Sequence, residues 1–102
     1  MSELEVTLER LESVVLVHAV GTIDATSAPQ LQEPLLRAAE AGSVQLDLAK
    51  VPYMSSAGLR VLLLAAKTLQ KRGERLRIIN VPQEIYNILK ISGFTSFTDV
   101  TL

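Results

Sequence analysis

No cysteine occurs in these 102 residues. That excludes a disulfide framework, a thiolate metal site and a cysteine nucleophile together, and it fits a reducing compartment. Tryptophan is absent too, and two Tyr and two Phe are the only aromatics. The core must therefore be aliphatic, built from Leu, Val, Ile and Ala. Neither sign of charge dominates, since ten Lys and Arg face eleven Asp and Glu for a formal net charge of -1. The one basic cluster, Lys67, Lys71, Arg72, Arg75 and Arg77, falls at the end of a predicted helix and into a strand. The helix macrodipole alone favours cations there, so no nucleic-acid partner is expected. Long hydrophobic runs are missing as well: the longest, Val61 to Ala66, has six residues, against the ~20 that a membrane span needs. The first segment, MSELEVTLER, is acidic and alternating, unlike a signal peptide. These absences lead to an expectation of cytoplasmic location without membrane insertion.

At 48% hydrophobic and 21% charged residues, the chain is neither a disordered tail nor a charged spacer. There is room for one domain over residues 1–102, with a modest core. Leu4, Val6 and Leu8 alternate with polar residues, the period of a strand with one wet face. A turn at Arg10 to Glu12 leads into Ser13 to Val20, a denser apolar run that suits a more buried neighbouring strand. Thr26 and Ser27 before Ala28-Pro29 read as an N-cap with proline in the first turn. The helix predicted from there to Ala41 turns Leu31, Leu35, Ala38 and Ala39 inward, and Pro34 predicts a kink or a late start.

Val44, Leu46 and Leu48 alternate as a third strand. A second helix is predicted from about Ala57 to Arg72, with Leu59, Leu62, Leu63, Ala66 and Leu69 as its inward stripe. Val61 and Leu64 lie off that stripe, as ordinary exposed apolar residues or as part of a docking patch. Leu76, Ile78 and Ile79 form a fourth strand. Pro82 then opens a short helix with Ile85, Ile88 and Leu89 inward, closed by Ser92-Gly93, and Phe97 to Leu102 form a last strand or a docked tail. The order β-β-α-β-α-β-α-(β) predicts an α/β fold with a mixed, largely parallel sheet of four to five strands carrying helices.

Ligands of open α/β sheets gather where strand ends meet helix starts. Two such junctions stand out, Gly21 to Thr26 and Tyr53 to Arg60. In the second, Ser55 and Ser56 open a helix and Gly58 follows. One serine suffices as an N-cap, and Gly58 admits a close neighbouring backbone; the other serine is left without a structural task. A hydroxyl there suits phosphorylation. The helix end tolerates an anion, while a partner resting on that turn would meet about -1.5 to -2 added charges.

At this loop the sequence resembles the STAS family, specifically bacterial anti-sigma factor antagonists. LDLAKVPYMSSAGLRVLLLAAK is similar to the family's strand–loop–helix signature, where a hydrophobic strand ends at an Asp-Ser-Ser/Thr-Gly-Leu turn. VGTIDATSAPQLQ resembles its earlier strand end and helix, and INVPQEIYNILKISGFTSF its last strand, helix and Phe-containing tail. The match spans nearly the whole chain in order, as one STAS domain. The resemblance implies that Ser56 is the phosphoacceptor, with Ser55 as second choice. It also implies that Asp24, Tyr53, Met54, Ser55, Ala57, Gly58, Leu59 and Arg60 form the loop met by a partner. Gly58 and Leu59 match outright, whereas Ser55 stands where many members have Asp, and Ala57 where they have Ser or Thr.

The resemblance further implies partner switching. The unphosphorylated module binds an anti-sigma factor with a histidine-kinase-like ATPase fold and frees a sigma factor. Phosphorylation of Ser56 by that serine kinase reverses binding, and a PP2C-type phosphatase resets the module. The chain is then no enzyme and carries no cofactor or metal of its own, working as a monomer or weak dimer. Two alternatives stand beside this. One is a STAS module of a non-sigma assembly, such as a lipid-transport complex, in which Ser56 simply caps the helix. The other is a weak nucleotide-binding or hydrolysing protein using Ser56 and Asp24, though no GxxxxGKS loop is present. His18, the sole histidine, is expected embedded in the second strand, and Asp47 is expected to be a strand-end residue.

Overall fold

The computed structural model of the chain describes residues 4–102. Strands β1 (Glu5–Leu11) and β2 (Val14–Val20) come first, followed by helix α1 (Ala28–Ala41) and strand β3 (Ser43–Lys50). Helix α2 (Ser56–Gln70), strand β4 (Arg77–Ile79) and helix α3 (Gln83–Ile91) follow, and then a 3-10 turn (Phe94–Ser96) and strand β5 (Asp99–Val100). The five strands lie in chain order across one sheet. A tight turn at Glu12 and Ser13 makes β1 and β2 antiparallel, and every later pair is parallel. The reason is covalent reach: two residues can reverse a chain, but a parallel neighbour needs a crossover, here a helix each time. The last segment is thus a strand, as one of the two readings of the tail had it.

Register divides the sheet into two unlike faces. Val17, Leu46, Ile78 and Val100 align across four strands, with Val15 beside Val44. This face joins Leu31, Leu35, Val61, Leu62, Leu69, Ile85 and Leu89 from the helices in one buried cluster. Each such aliphatic side chain contributes roughly 1.5–3 kcal/mol on burial, so an aliphatic core holds the domain without tryptophan. The opposite face carries Leu16, Gln45, Arg77 and Asp99 in one row, and His18, Asp47 and Ile79 in the next. These residues are half-buried or exposed.

Several expectations need correction. β2 is buried only at alternate residues, not throughout, because helices cover one face. His18 is accordingly not embedded, and its side chain is 37% exposed. Asp47 lies within β3 opposite His18 rather than at a strand end. Val61, predicted off the stripe of α2, is buried with Gly58, Leu62, Ala65, Ala66 and Leu69, while Leu59 and Leu63 only flank the core. α2 packs on α1 and shares one buried cluster with the sheet residues, which widens its buried sector beyond a single stripe. Ile88 is 38% exposed, not inward, and Ile85 and Leu89 anchor the short α3. α1 starts at Ala28 without delay and runs unbroken through Pro34. Gln30, whose carbonyl loses its donor to that proline, is exposed to water.

The basic cluster also finds structural tasks. Arg72 donates to the carbonyls of Ala39 and Gly42 at 2.8 and 3.1 Å, closing the C-terminal end of α1. Arg75 pairs with Asp99 at 3.0 Å, tying the approach to β4 to β5.

Candidate functional site

The two junctions singled out in the sequence are joined by backbone. Beyond the ends of β2 and β3, Ile23 and Met54 form an isolated parallel bridge. The Ile23 amide donates to the Tyr53 carbonyl at 3.0 Å, and the Ser55 amide donates to the Ile23 carbonyl at 2.8 Å. The two loops are thus tied together, each satisfying peptide groups of the other. Ile23 is fully buried and is the residue that sequence reasoning passed over. Its only signal was an apolar side chain between Thr22 and Asp24.

Asp24 governs the first loop. One oxygen of its carboxylate accepts the amides of Thr26 and Ser27 at 3.0 and 3.1 Å. Ser27 does not cap α1 through its own side chain. Its hydroxyl donates to the Thr22 carbonyl at 2.8 Å and accepts the Asp24 amide at 2.9 Å. Asp24 thus shapes the entry to α1, a task an Asp side chain performs by bonding to amides two and three residues on.

In the second loop the serines divide. Ser55 is the N-cap of α2, extended at φ -90° and ψ 179°, and its Oγ accepts the Ala57 amide at 3.2 Å. Ser56 is the first helical residue and is exposed, with no hydrogen bond to its hydroxyl among the described residues. No base among the described residues is hydrogen-bonded to it, and the His18 Nδ1 lies 3.2 Å from Asp47. Met54 and Gly58 are buried, Ala57 and Leu59 are half-buried, and Tyr53 and Arg60 are exposed. The predicted site residues are therefore contiguous, and they separate into a buried footing (Met54, Gly58) and an outward surface (Tyr53, Ser56, Arg60).

Gly58 is explained by contact. A Cβ there would lie 2.5 Å from Cγ of Met54 and 2.8 Å from Cγ2 of Ile23. Both are too close for carbon atoms, whose favourable separation is about 3.5–4.0 Å. The helix start can rest on the two loops only if this position has no side chain.

Asp47 sits apart, on the open face. Burial opposes its ionised form. The Ala49 amide at 2.9 Å, the Asn80 side-chain amide at 3.3 Å and the His18 ring outweigh this and hold the carboxyl below its ordinary value. Glu9 stands 3.8 Å from the other side of that ring. Among the described residues no group of three or more His, Asp or Glu could hold a metal ion, and no helix is long and apolar enough to cross a membrane.

Residues 5–101 match the STAS domain family. The anti-sigma-B factor antagonist of Bacillus subtilis is 31% identical over 99 residues, covering 96% of this chain and 91% of that protein. Among solved structures, an anti-sigma factor antagonist from Mycobacterium paratuberculosis superposes with a TM-score of 0.84 at 20% identity, covering 96% of this chain and 85% of that one. SpoIIAA of Bacillus, solved in its phosphorylated form, superposes at 0.76 with 17% identity, covering 96% of this chain and 92% of that one. The same protein in its unphosphorylated form also superposes at 0.76. With a five-stranded sheet in the expected element order and a family match over nearly its whole length, the chain belongs to the STAS-domain family of anti-sigma factor antagonists.

Proposed function

We propose that this chain is a partner-switching protein whose unphosphorylated form binds an anti-sigma factor and so releases a sigma factor, and that phosphorylation of Ser56 reverses the binding. The observation that carries the reading is the division between the serines: Ser55 is committed to capping α2, while Ser56 is exposed and unengaged. The names of the relatives support it, as does SpoIIAA, a protein of the same fold solved with and without phosphorylation.

The partner is a serine kinase with a histidine-kinase-like ATPase fold, and it contributes ATP and magnesium. The Ser56 Oγ attacks the γ-phosphorus of ATP, the bond from that phosphorus to the β–γ bridging oxygen breaks, and ADP leaves. The hydroxyl proton passes to a base of the kinase. A PP2C-type phosphatase returns the serine by hydrolysis, releasing inorganic phosphate. The module is a substrate and a ligand in this cycle, not an enzyme, and the cycle runs in the cytoplasm. Residues 1–102 act as one unit, as a monomer or weak dimer.

Weakening a partner from ~1 nM to ~1 μM takes only about 4 kcal/mol. A phosphate of about -1.5 to -2 charges pressed into an interface can supply that by repulsion and desolvation. The phosphate would leave the fold intact, because Ser56 lies outside the core.

The test is intact and peptide mass spectrometry after incubation with the anti-sigma factor and ATP, alongside a binding assay. One phosphate on Ser56 with loss of binding is expected, and Ser56→Ala should bind without being modified. Persistent binding with no modification would instead mark a constitutive STAS module of another assembly. Phosphate on Ser55 would keep the switch but move its acceptor.

A further inference from the structure

Ser56 opens α2, and Arg60 follows four residues later on the same helix. Residues at that spacing are neighbours on a helix surface, with Cβ atoms about 5–6 Å apart. Both are exposed. Arg60 enters none of the ion pairs formed among the described residues, whose arginines are Arg37, Arg72 and Arg75. Three and four residues to either side of it stand Ser56, Ala57, Leu63 and Leu64, none of them acidic. The first turn of α2 also contains no acid.

Three of the four amides that open α2, those of Ala57, Gly58 and Leu59, are already engaged. The Ala57 amide is taken by the Ser55 hydroxyl at 3.2 Å. Those of Gly58 and Leu59 are taken by the Ser55 carbonyl at 3.0 and 3.1 Å. With those three amides engaged, a side-chain cation is the stronger counter-charge for a phosphate on Ser56. We propose that Arg60 is that counter-charge: its guanidinium pairs with the phosphate of modified Ser56 across one turn of α2. The inference rests on Ser56 being the acceptor.

The chemistry favours the pair. Guanidinium presents paired N–H groups that match phosphate oxygens. An anion on the N-terminal side of a cation four residues on is the better order on a helix. Arg60, exposed and outside the ion pairs among the described residues, is available to take up the phosphate.

The experiment uses the full chain with phosphoserine installed at position 56 during translation, compared with the same chain carrying Arg60→Gln or Arg60→Lys. The second ionisation of the phosphate is followed by phosphorus NMR. A nearby cation favours the dianion, so Arg60→Gln should raise that pKa by about 0.3 unit in low salt, the size expected of an exposed i,i+4 ion pair. Arg60→Lys should raise it less, and added salt should shrink the difference. Coincident titration curves for the unsubstituted and Arg60→Gln proteins in low salt would overturn the pairing. No kinase takes part, so this result is separate from the switch itself: failure of the anti-sigma factor to modify Ser56 would sink the switch, whatever the titration gave.

Discussion

The hydroxyl of Ser55 and the amide of Ala57 lie 3.2 Å apart and close the first turn of α2. This bond gives two adjacent serines separate roles, one inside the helix's own hydrogen bonding and one outside it. Removing the cap should cost about 1 kcal/mol of stability, so Ser55→Ala is expected to lower the denaturation midpoint. Ser56→Ala, at an exposed position without a partner, should fall within about 0.5 kcal/mol of the parent. Denaturant titration of both variants checks the assignment. Equal losses would mean that the two hydroxyls share the cap.

Gly58 stands where a methyl group would meet Met54 and Ile23. Alanine there gains roughly 1 kcal/mol in helix propensity, but overpacking costs about 1–3 kcal/mol. Ile23 is β-branched and fully buried, so it yields poorly. The expected balance for Gly58→Ala is a net loss near 1 kcal/mol, measurable by thermal unfolding. A more stable variant would show that the loop gives way freely.

Asp24 can be tested for cap against charge. Asp24→Ala removes the acceptor of the Thr26 and Ser27 amides and should cost roughly 1–2 kcal/mol. Asp24→Asn keeps a side-chain oxygen and should retain most of that. If Asp24→Asn binds the anti-sigma factor poorly while remaining stable, the carboxylate charge itself serves the interface.

Asp47 gives a pH dependence of defined sign. Its carboxyl is held below the ordinary value in the folded chain. The stability it contributes is therefore present above its unfolded pKa of ~3.9 and is lost as pH falls through the folded value. Asp47→Asn should be less stable than the parent at pH 7, and the gap should close in strong acid. A gap independent of pH would mean that ionisation contributes nothing.

Much of this was legible along the chain. Alternation in Val44, Leu46 and Leu48 set β3, and the Ser-Ser-Ala-Gly run marked a helix start. Those are local patterns of period and capping, which need no knowledge of neighbours. Val61 and Ile88 were misplaced because the buried sector of a helix depends on what packs beside it. α2 packs against α1 and joins the sheet residues in one buried cluster, whereas α3 is short and buries only Ile85 and Leu89. His18 looked embedded in an apolar run, yet β2 is covered on one face only.

By itself the sequence determined the element order, the aliphatic core and the two loops where chemistry belongs, because these follow from periodicity and residue type. Only the tertiary structure decided which serine is committed and which is free, since both suit a helix start equally well. It also decided why position 58 must lack a side chain, through a contact with residues 4 and 35 positions away. The bridge between Ile23 and Met54 belongs to that same level. Periodicity reports which way a residue faces, but only packing reports what it meets there.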